Sequence, residues 1–278
     1  MSDELPRSRK ARIAAEQALV RVVHHYGEKP EFVVLDGLVP ELLCSTSAQQ
    51  HAGTTDIDVQ VNLEIESNAV NTARLERALR NAEFEPDSEQ VWRWRVVSNE
   101  IRAEVKFELL ADLDTAANEA TVHFDNCENL GAVNLRGTKY ATQDVESRTL
   151  VARVGDDQRS VEINVIGVAG FLLAKCAAAY SRRKPKDWYD IAFVLLHNDL
   201  GGPTQAAQAV VEKFGDGALE ASRTALTELV ANFANPQTQG PKAYADQFLI
   251  DHPDYDRSQA KADAITAVAE FCDMLERS

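Results

Sequence analysis

The sequence predicts an α/β (α+β) fold, in which a mixed sheet with its helices is followed by a helical C-terminal region. Residues 56–65 alternate polar and apolar side chains, which is typical of a half-buried strand. Strand-like and helical patterns alternate up to residue 167, and only helical patterns follow. We therefore expect two domains, residues 1–167 and 168–278.

The elements of the first domain follow from apolar spacing and from turn residues. A helix over residues 8–26 ends at the Gly27–Pro30 segment, and a second amphipathic helix covers residues 68–81. The remaining elements are strands at 32–35, 56–65, 92–97 and 101–110, a short helix at 39–44, and a hairpin of strands 150–154 and 161–165 around a turn at 155–158.

The second domain is expected to be helical throughout. Its Gly-Gly-Pro and Asn-Pro sequences, at 201–203 and 235–236, separate helical segments. The predicted helices are 168–181, 186–197, 204–213, 217–233, 241–249 and 257–277.

The composition limits where the protein can work and what its surface can bind. The formal net charge of −15 argues against a surface made for generic binding of nucleic acid or anionic membranes, so a polyanionic substrate requires a local basic cluster. Four cysteines without C-x-x-C spacing predict buried free thiols in a reducing compartment. The polar N-terminus and the lack of a long apolar run predict a cytoplasmic protein without a membrane span.

Two strands carry the residues that indicate chemistry. Asp56 and Asp58 lie one residue apart on one face of a strand, and Glu108 shares a face with Glu104 and Lys106 on another. Three carboxylates on neighbouring strands suit a site for Mg²⁺, which binds phosphate oxygens and lowers the pKa of an attacking hydroxyl. For a strand glutamate taken alone a solvated outer face is the expected position, and the pair Asp56 and Asp58 shifts that expectation towards a metal ligand.

A basic segment lies at the start of the second domain. Arg182, Arg183, Lys184 and Lys186 follow the helix that carries Lys175. Such a cluster can neutralise phosphate, or it can be a solvated helix junction. Asp187 and Asp190 lie in the first turns of the helix that Pro185 begins, where a carboxylate is favourable in any case.

These residues together resemble the DNA-polymerase-β-like nucleotidyltransferases. Gly37, the Gly53-Thr-Thr-Asp-Ile-Asp58 sequence and the strand glutamate match that pattern in order. Lys175 and the Lys186-Asp-Trp-Tyr-Asp-Ile191 segment are similar to the AbiEii toxin group, which includes the MenT-like toxins. The resemblance covers about residues 32–195, and it implies a mixed-sheet nucleotidyltransferase domain.

The resemblance assigns a role to each matching position. It implies that Asp56, Asp58 and Glu108 bind the metal ion. The implied catalytic residues are these three together with Lys175 and Asp190. Asp190 would orient Lys186 or close the site. The resemblance also implies substrate binding by Gly37, Thr54, Thr55, Arg183, Lys186 and Asp187. The implied cofactor is Mg²⁺, the substrate is an NTP, the acceptor in toxin members is the 3′ end of a tRNA, and the implied partner is a cognate antitoxin protein.

Other interpretations remain open at this stage. The acceptor can instead be a small molecule such as an aminoglycoside, or the chain can be a non-catalytic relative that binds a nucleotide or a partner protein. His51 is expected to pack a loop rather than to act in catalysis, and Trp92 and Trp94 are expected in the core. Asp36 stands where the family has a small residue, and a carboxylate there opposes a triphosphate unless it points elsewhere.

Overall fold

The computed structural model describes residues 8–61, 68–98 and 103–277. By contacts between Cα atoms the chain divides into two units, each described separately below. The first contains the described residues of Met1–Val39 and Gly53–Ile166, and the second those of Pro40–Ala52 and Gly167–Ser278. Residues 40–52 thus pack with the second unit, whereas the sequence pattern puts them in the first domain. The domain boundary stays a prediction.

The first unit is built on a mixed sheet. Its strands are β1 (Val33–Leu35), β2 (Asp56–Gln60), β3 (Glu85–Pro86), β4 (Arg93–Ser98), β5 (Ala103–Ala111), β6 (Thr121–His123), β7 (Gly131–Asn134), β8 (Val145–Val154) and β9 (Asp157–Ile166). The order across the sheet is β3-β4-β5-β2-β1-β9-β8, and β7 pairs with both β5 and β6. β2 is parallel to β5 and antiparallel to β1. The predicted α+β class is confirmed.

Three helices belong to the first unit: α1 (Arg9–Tyr26), α3 (Asn68–Asn81) and the short α4 (Tyr140–Gln143). Ser8 caps α1 by accepting a hydrogen bond from the Ala11 amide, and Gly27 ends it with a φ of 89°. The predicted strand at 56–65 ends at Gln60, and residues 62–67 lie outside the described part. Residues 99–102, between β4 and β5, are also outside it.

The core of this unit lies on one face of the central strands. Ile57 and Val59 of β2 are fully buried, as is Phe107 of β5. The Phe107 ring meets the rings of Phe32 and Phe84 edge-on, with centroids 5.9 and 6.0 Å apart. Because side chains alternate along a strand, the polar residues of β2 and β5 are turned to the opposite face.

The second unit is helical. Its helices are α2 (Val39–Leu43, all but its first residue), α5 (Val168–Arg182), α6 (Pro185–His197), α7 (Pro203–Asn232), α8 (Gln239–Asp251) and α9 (Arg257–Arg277). The two helices predicted at 204–213 and 217–233 are the two halves of α7, which is interrupted at Gly215 (φ 64°, ψ −172°). Pro185 begins α6 as expected.

Asp199 attaches residues 40–52 to the helices of this unit. Its carboxylate accepts hydrogen bonds from Ser45 Oγ at 2.7 Å, from the Thr46 amide at 2.9 Å and from Thr46 Oγ1 at 2.8 Å. Its own amide donates to the carbonyl of Leu43 at 2.8 Å. Burial alone would raise the pKa of Asp199, but the hydrogen bonds from Thr46 and Ser45 hold it below the usual value.

Candidate functional site

Three carboxylates share the polar face of β2 and β5. The parallel register puts Asp58 directly opposite Glu108. Asp56 lies two residues before Asp58 and opposite Lys106. The buried residues Ile57, Val59, Phe107 and Leu109 occupy the other face. The sheet therefore provides carboxylates on one face of two neighbouring strands.

Two cations lie against these carboxylates. Arg93, opposite Glu108 on β4, donates from Nε to Glu108 Oε1 at 2.6 Å. Lys106 Nζ lies 3.6 Å from Asp56 Oδ1. Burial raises the pKa of Glu108, Arg93 lowers it and Asp56 raises it, and the net shift is upward. The negative charge of Asp56 thus opposes ionisation of Glu108.

The fit of this face to a metal ion depends on what already holds each oxygen. Among residues 8–61, 68–98 and 103–277, no group of three or more His, Cys, Asp or Glu side chains is arranged to hold a metal ion. The Oδ1 atom of Asp56 is buried, and no hydrogen-bond donor reaches it within the described part of the chain. A buried carboxylate oxygen without a donor is a suitable cation ligand. The donor chemistry of the carboxylates therefore fits Mg²⁺. In the present arrangement Glu108 is bonded to Arg93, and Asp56 is ion-paired with Lys106.

The turn that the resemblance connects with phosphate binding follows β1. Residues Asp36–Leu38 form a single 3-10 turn, and the preceding Leu35 pairs with Asp58 in the register of β1 and β2. Asp36 has a φ of 64°, in the left-handed region that glycine adopts most easily and aspartate tolerates. Glycine at position 36 would adopt this backbone conformation without strain.

Arg12 of α1 supports this turn, and the sequence analysis did not identify it. Its side chain is 1% exposed and donates from Nη1 to the Leu38 carbonyl at 3.1 Å. Glu16 balances its charge, with Oε1 at 2.7 Å from Nε. The signal in the sequence was an arginine among the alanines that form the apolar side of α1.

Gly53 is required by close packing between a loop and α1. A Cβ atom on Gly53 would lie 2.0 Å from Cβ of Arg12, which is far inside contact distance. The next residue, Thr54, accepts a hydrogen bond from the Asp56 amide at 3.1 Å through its hydroxyl oxygen. The Thr55 carbonyl accepts from the Lys106 amide at 3.0 Å. These contacts fix where β2 begins, and the substrate-binding roles of Thr54 and Thr55 stay predictions.

The second unit contains a buried network of charges. Lys175 of α5 donates to Asp190 Oδ2 at 2.8 Å and to Asp187 Oδ1 at 3.4 Å. The two aspartates have no exposed side-chain surface, and the lysine has 4%. Arg182 binds Asp187 with two further hydrogen bonds, of 2.8 and 2.7 Å. Each aspartate contacts at least one cation, because a buried charge requires an opposite charge in contact.

His51 completes this network. Its Nε2 lies 2.9 Å from Asp190 Oδ1, and its ring stacks on Tyr189 with centroids 4.9 Å apart. The Tyr189 hydroxyl accepts a hydrogen bond from the Ala52 amide at 3.0 Å. The loop that ends at Ala52 is therefore bonded to the same helix turn that supplies Asp190, which agrees with a packing role for His51.

Arg182 and Arg183 of the basic segment are both exposed, but they differ in their partners. Arg182 is engaged with Asp187, as described above. Arg183 ends α5 in the left-handed region (φ 50°), and its side chain is 67% exposed. Its guanidinium lies 3.8 Å from Glu228 of α7. Arg183 is thus open to a phosphate, and the predicted substrate contacts of Lys186 and Asp187 stay predictions.

A comparison with models of protein families identifies the family of this chain. A family model described as the nucleotidyl transferase AbiEii toxin of a Type IV toxin–antitoxin system matches residues 131–274, just over half of the 278 residues. The chain belongs to the AbiEii nucleotidyl transferase toxin family. This confirms the resemblance found in the sequence. No curated protein matches the chain.

The AbiEii match includes Lys175, Asp187 and Asp190 of the helical unit. Asp56, Asp58 and Glu108 precede it, so their assignment depends on the strand pattern and on the register described above. Membership of the AbiEii family indicates a nucleotidyltransferase of a toxin–antitoxin system, with a cognate antitoxin as partner. No helix in the described part of the chain has the length and hydropathy needed to cross a lipid bilayer.

Proposed function

We propose that this AbiEii family member transfers a nucleotidyl group from an NTP to an acceptor hydroxyl in a Mg²⁺-dependent reaction, with the 3′ end of a tRNA as acceptor. The observation that carries the proposal is the register of β2 and β5, in which Asp58 faces Glu108 and Asp56 lies on the same strand face. A carboxylate set of this kind is what phosphoryl transfer uses to hold its metal.

In this proposal Asp56, Asp58 and Glu108 hold Mg²⁺. The bound ion supplies neutralisation of phosphate charge and lowers the pKa of the attacking hydroxyl. The turn at Asp36 and Gly37 follows the strand that pairs with Asp58, so it is the segment of this unit that we assign to the triphosphate. Arg12 keeps the turn in place through the Leu38 carbonyl.

Lys175 and Asp190 have a supporting role that follows from their burial. The Lys175 ammonium is fixed by two aspartates, so its direction is set before any substrate binds. We propose for this fixed cation the catalytic role that the resemblance to the AbiEii toxins implies for Lys175. Asp190, which also contacts His51, holds the lysine in that direction.

The tRNA acceptor is proposed because the resemblance to the AbiEii toxins implies it, and the charge of the chain restricts where an RNA can bind. A chain of net charge −15 repels RNA over most of its surface, so binding has to use a local group of cations. The exposed guanidinium of Arg183, beside Lys184 and Lys186 in the sequence, belongs to such a group.

The test is a labelling assay on the purified full chain. The protein is incubated with Mg²⁺, total bacterial tRNA and each α-labelled NTP in turn. Wild type should label RNA with one or more nucleotides, and Asp58→Ala should not. Glu104→Ala is the matched control, because Glu104 lies on the same face of β5 but pairs with Arg95 at 3.5 Å; it should retain labelling.

The other outcomes assign the alternatives. Mg²⁺-dependent nucleotide binding without label on RNA would exclude tRNA and favour a small-molecule acceptor or a binding-only relative. Equal labelling by wild type and Asp58→Ala would remove the carboxylate site from the proposal. Asp36→Gly is expected to keep or raise activity, because the turn accepts glycine at φ 64° and a negative charge near the phosphates is removed.

A further inference from the structure

The third carboxylate of the proposed metal site is held by an arginine. Arg93 and Glu108 face each other across β4 and β5, and the Nε–Oε1 distance of 2.6 Å is that of a strong charge-assisted hydrogen bond. Their side chains are 22% and 16% exposed, so the pair is screened less than an ordinary surface pair. A metal ion that binds Glu108 through Oε1 has to compete with this guanidinium.

A displaced Arg93 would remain close to the site. Its guanidinium carbon lies 4.6 Å from the centroid of the Trp92 ring, a cation–π contact that does not depend on Glu108. The aromatic contact keeps the positive charge on this part of the sheet after the carboxylate has turned away. A planar guanidinium with unused donors binds a phosphate group with two hydrogen bonds.

We propose that Arg93 is a competing cation that occupies Glu108 in the metal-free protein, and that it binds the phosphates of the NTP once the metal has displaced it. The inference rests on the proposed function, because it assumes the metal site at Asp56, Asp58 and Glu108. It gives Arg93 opposite effects on two ligands: it weakens metal binding in the absence of nucleotide, and it strengthens nucleotide binding in the presence of metal.

The neighbouring Arg95 provides a matched control. It lies two residues along β4 on the same face, but its register partner is Lys106 rather than Glu108. Its guanidinium is paired with Asp87 and, at 3.5 Å, with Glu104. Arg93→Gln and Arg95→Gln remove the same charge from the same strand, and only the first releases Glu108.

The experiment measures binding of Mn²⁺ alone to the full chain by electron paramagnetic resonance, and then binding of a non-hydrolysable NTP analogue at saturating Mn²⁺ by calorimetry. Arg93→Gln should tighten Mn²⁺ binding about tenfold and weaken analogue binding about tenfold. Arg95→Gln should change either affinity by less than about twofold. Arg93→Lys should restore part of the analogue affinity, because it retains a charge but not the two-donor geometry.

Three results would overturn the inference: unchanged or weaker Mn²⁺ binding in Arg93→Gln, unchanged analogue binding in that variant, or equal effects of the two glutamine variants. Asp58→Ala separates this failure from failure of the proposed function. If Mn²⁺ binding is lost in Asp58→Ala but unaffected by Arg93→Gln, the metal site stands and the role of Arg93 is wrong. If Asp58→Ala binds Mn²⁺ as wild type does, the proposed metal site is itself wrong.

Discussion

The charged side chains on the sheet of the first unit and the charged network around Lys175 in the second differ in how far they are buried. On the sheet of the first unit, Asp56, Arg93 and Glu108 keep between 16% and 23% of their side-chain surface exposed. In the helical unit, Lys175 and its two aspartates are at most 4% exposed. A partly hydrated ion pair can exchange its partner for another ion at small cost, whereas a desolvated one cannot. The sheet is therefore suited to binding an exogenous ion, and the helical unit to holding a fixed one.

The largest expected difference comes from removing one lysine in each unit. Lys175→Met leaves Asp190 and Asp187 buried with less positive charge, and it should lower the free energy of unfolding by about 3–5 kcal/mol. Lys106→Met removes a 27% exposed lysine that lies 3.6 Å from Asp56, and it should cost about 1 kcal/mol or less. Urea unfolding followed by circular dichroism compares them. Equal losses would show that burial does not distinguish the two units.

The second expected effect is acid sensitivity of the helical unit. Burial, followed by the charge of His252, lowers the pKa of His197 from 6.5 to about 4. Since the pKa of His197 in the folded state lies below its value in the unfolded state, its contribution to stability is fully present above pH 6.5. That contribution is lost as the pH falls towards 4. The loss should be about 3 kcal/mol for this group.

Hydrogen exchange at pH 4.5 and 7 locates that acid effect. Exchange in peptides from α6 and α8 should accelerate at the lower pH, while peptides from β2 and β5 change less. The rings of His197 and Phe193 have centroids 4.7 Å apart. His197→Phe keeps an aromatic ring at this position and removes the group that titrates. The variant should flatten the pH dependence, and an unchanged profile would assign the acid sensitivity to other groups.

The third effect is smaller and concerns the attachment of residues 40–52. Asp199→Asn weakens three hydrogen bonds to Ser45 and Thr46 and should cost about 1–2 kcal/mol at pH 7. Because these bonds hold the folded pKa of Asp199 below its usual 3.8, the stabilisation is present above about pH 4 and disappears as the pH falls through the folded value. Asp254→Asn, at an exposed position, is the control and should leave stability unchanged. Equal unfolding midpoints for the two variants would contradict the attachment.

Much of the fold follows from local pattern, and much of the site does not. Helices such as α1 and α9, and the polar and apolar faces of β2 and β5, are encoded by spacing along the chain. The short strands β3, β6 and β7 carry too few residues for a period to be recognised. The sequence predicts the hairpin of β8 and β9 with a turn at 155–158. In the structure the turn has only two residues, Gly155 and Asp156, because the strands stay paired beyond their apolar residues.

The contacts that define the candidate site connect residues far apart in sequence. His51 meets Asp190 across 139 positions, and Arg12 meets Leu38 across 26. The sequence analysis connected Asp190 with Lys186 and did not predict its hydrogen bond from Lys175. A charged residue is neutralised by whichever opposite charge the packing brings near. The pairing of Arg93 with Glu108 depends on the strand order, which no single segment contains.

The smallest expected change in stability is also the one that separates binding from folding most clearly. Asp56→Ala removes a partly exposed carboxylate whose charge raises the pKa of Glu108. The loss of its contact with Lys106 is offset by the loss of repulsion from Glu108, so the free energy of unfolding should change by less than about 0.5 kcal/mol. The pKa of Glu108, followed by NMR of the labelled side chain, should fall, because one of the causes that raise it is gone. A loss of 2 kcal/mol or more, about as large as a buried residue gives, would mean that Asp56 is needed to build the sheet. A near-zero change in the free energy of unfolding together with lost Mn²⁺ binding would mean that Asp56 serves to bind the metal ion and is not needed for the stability of the sheet.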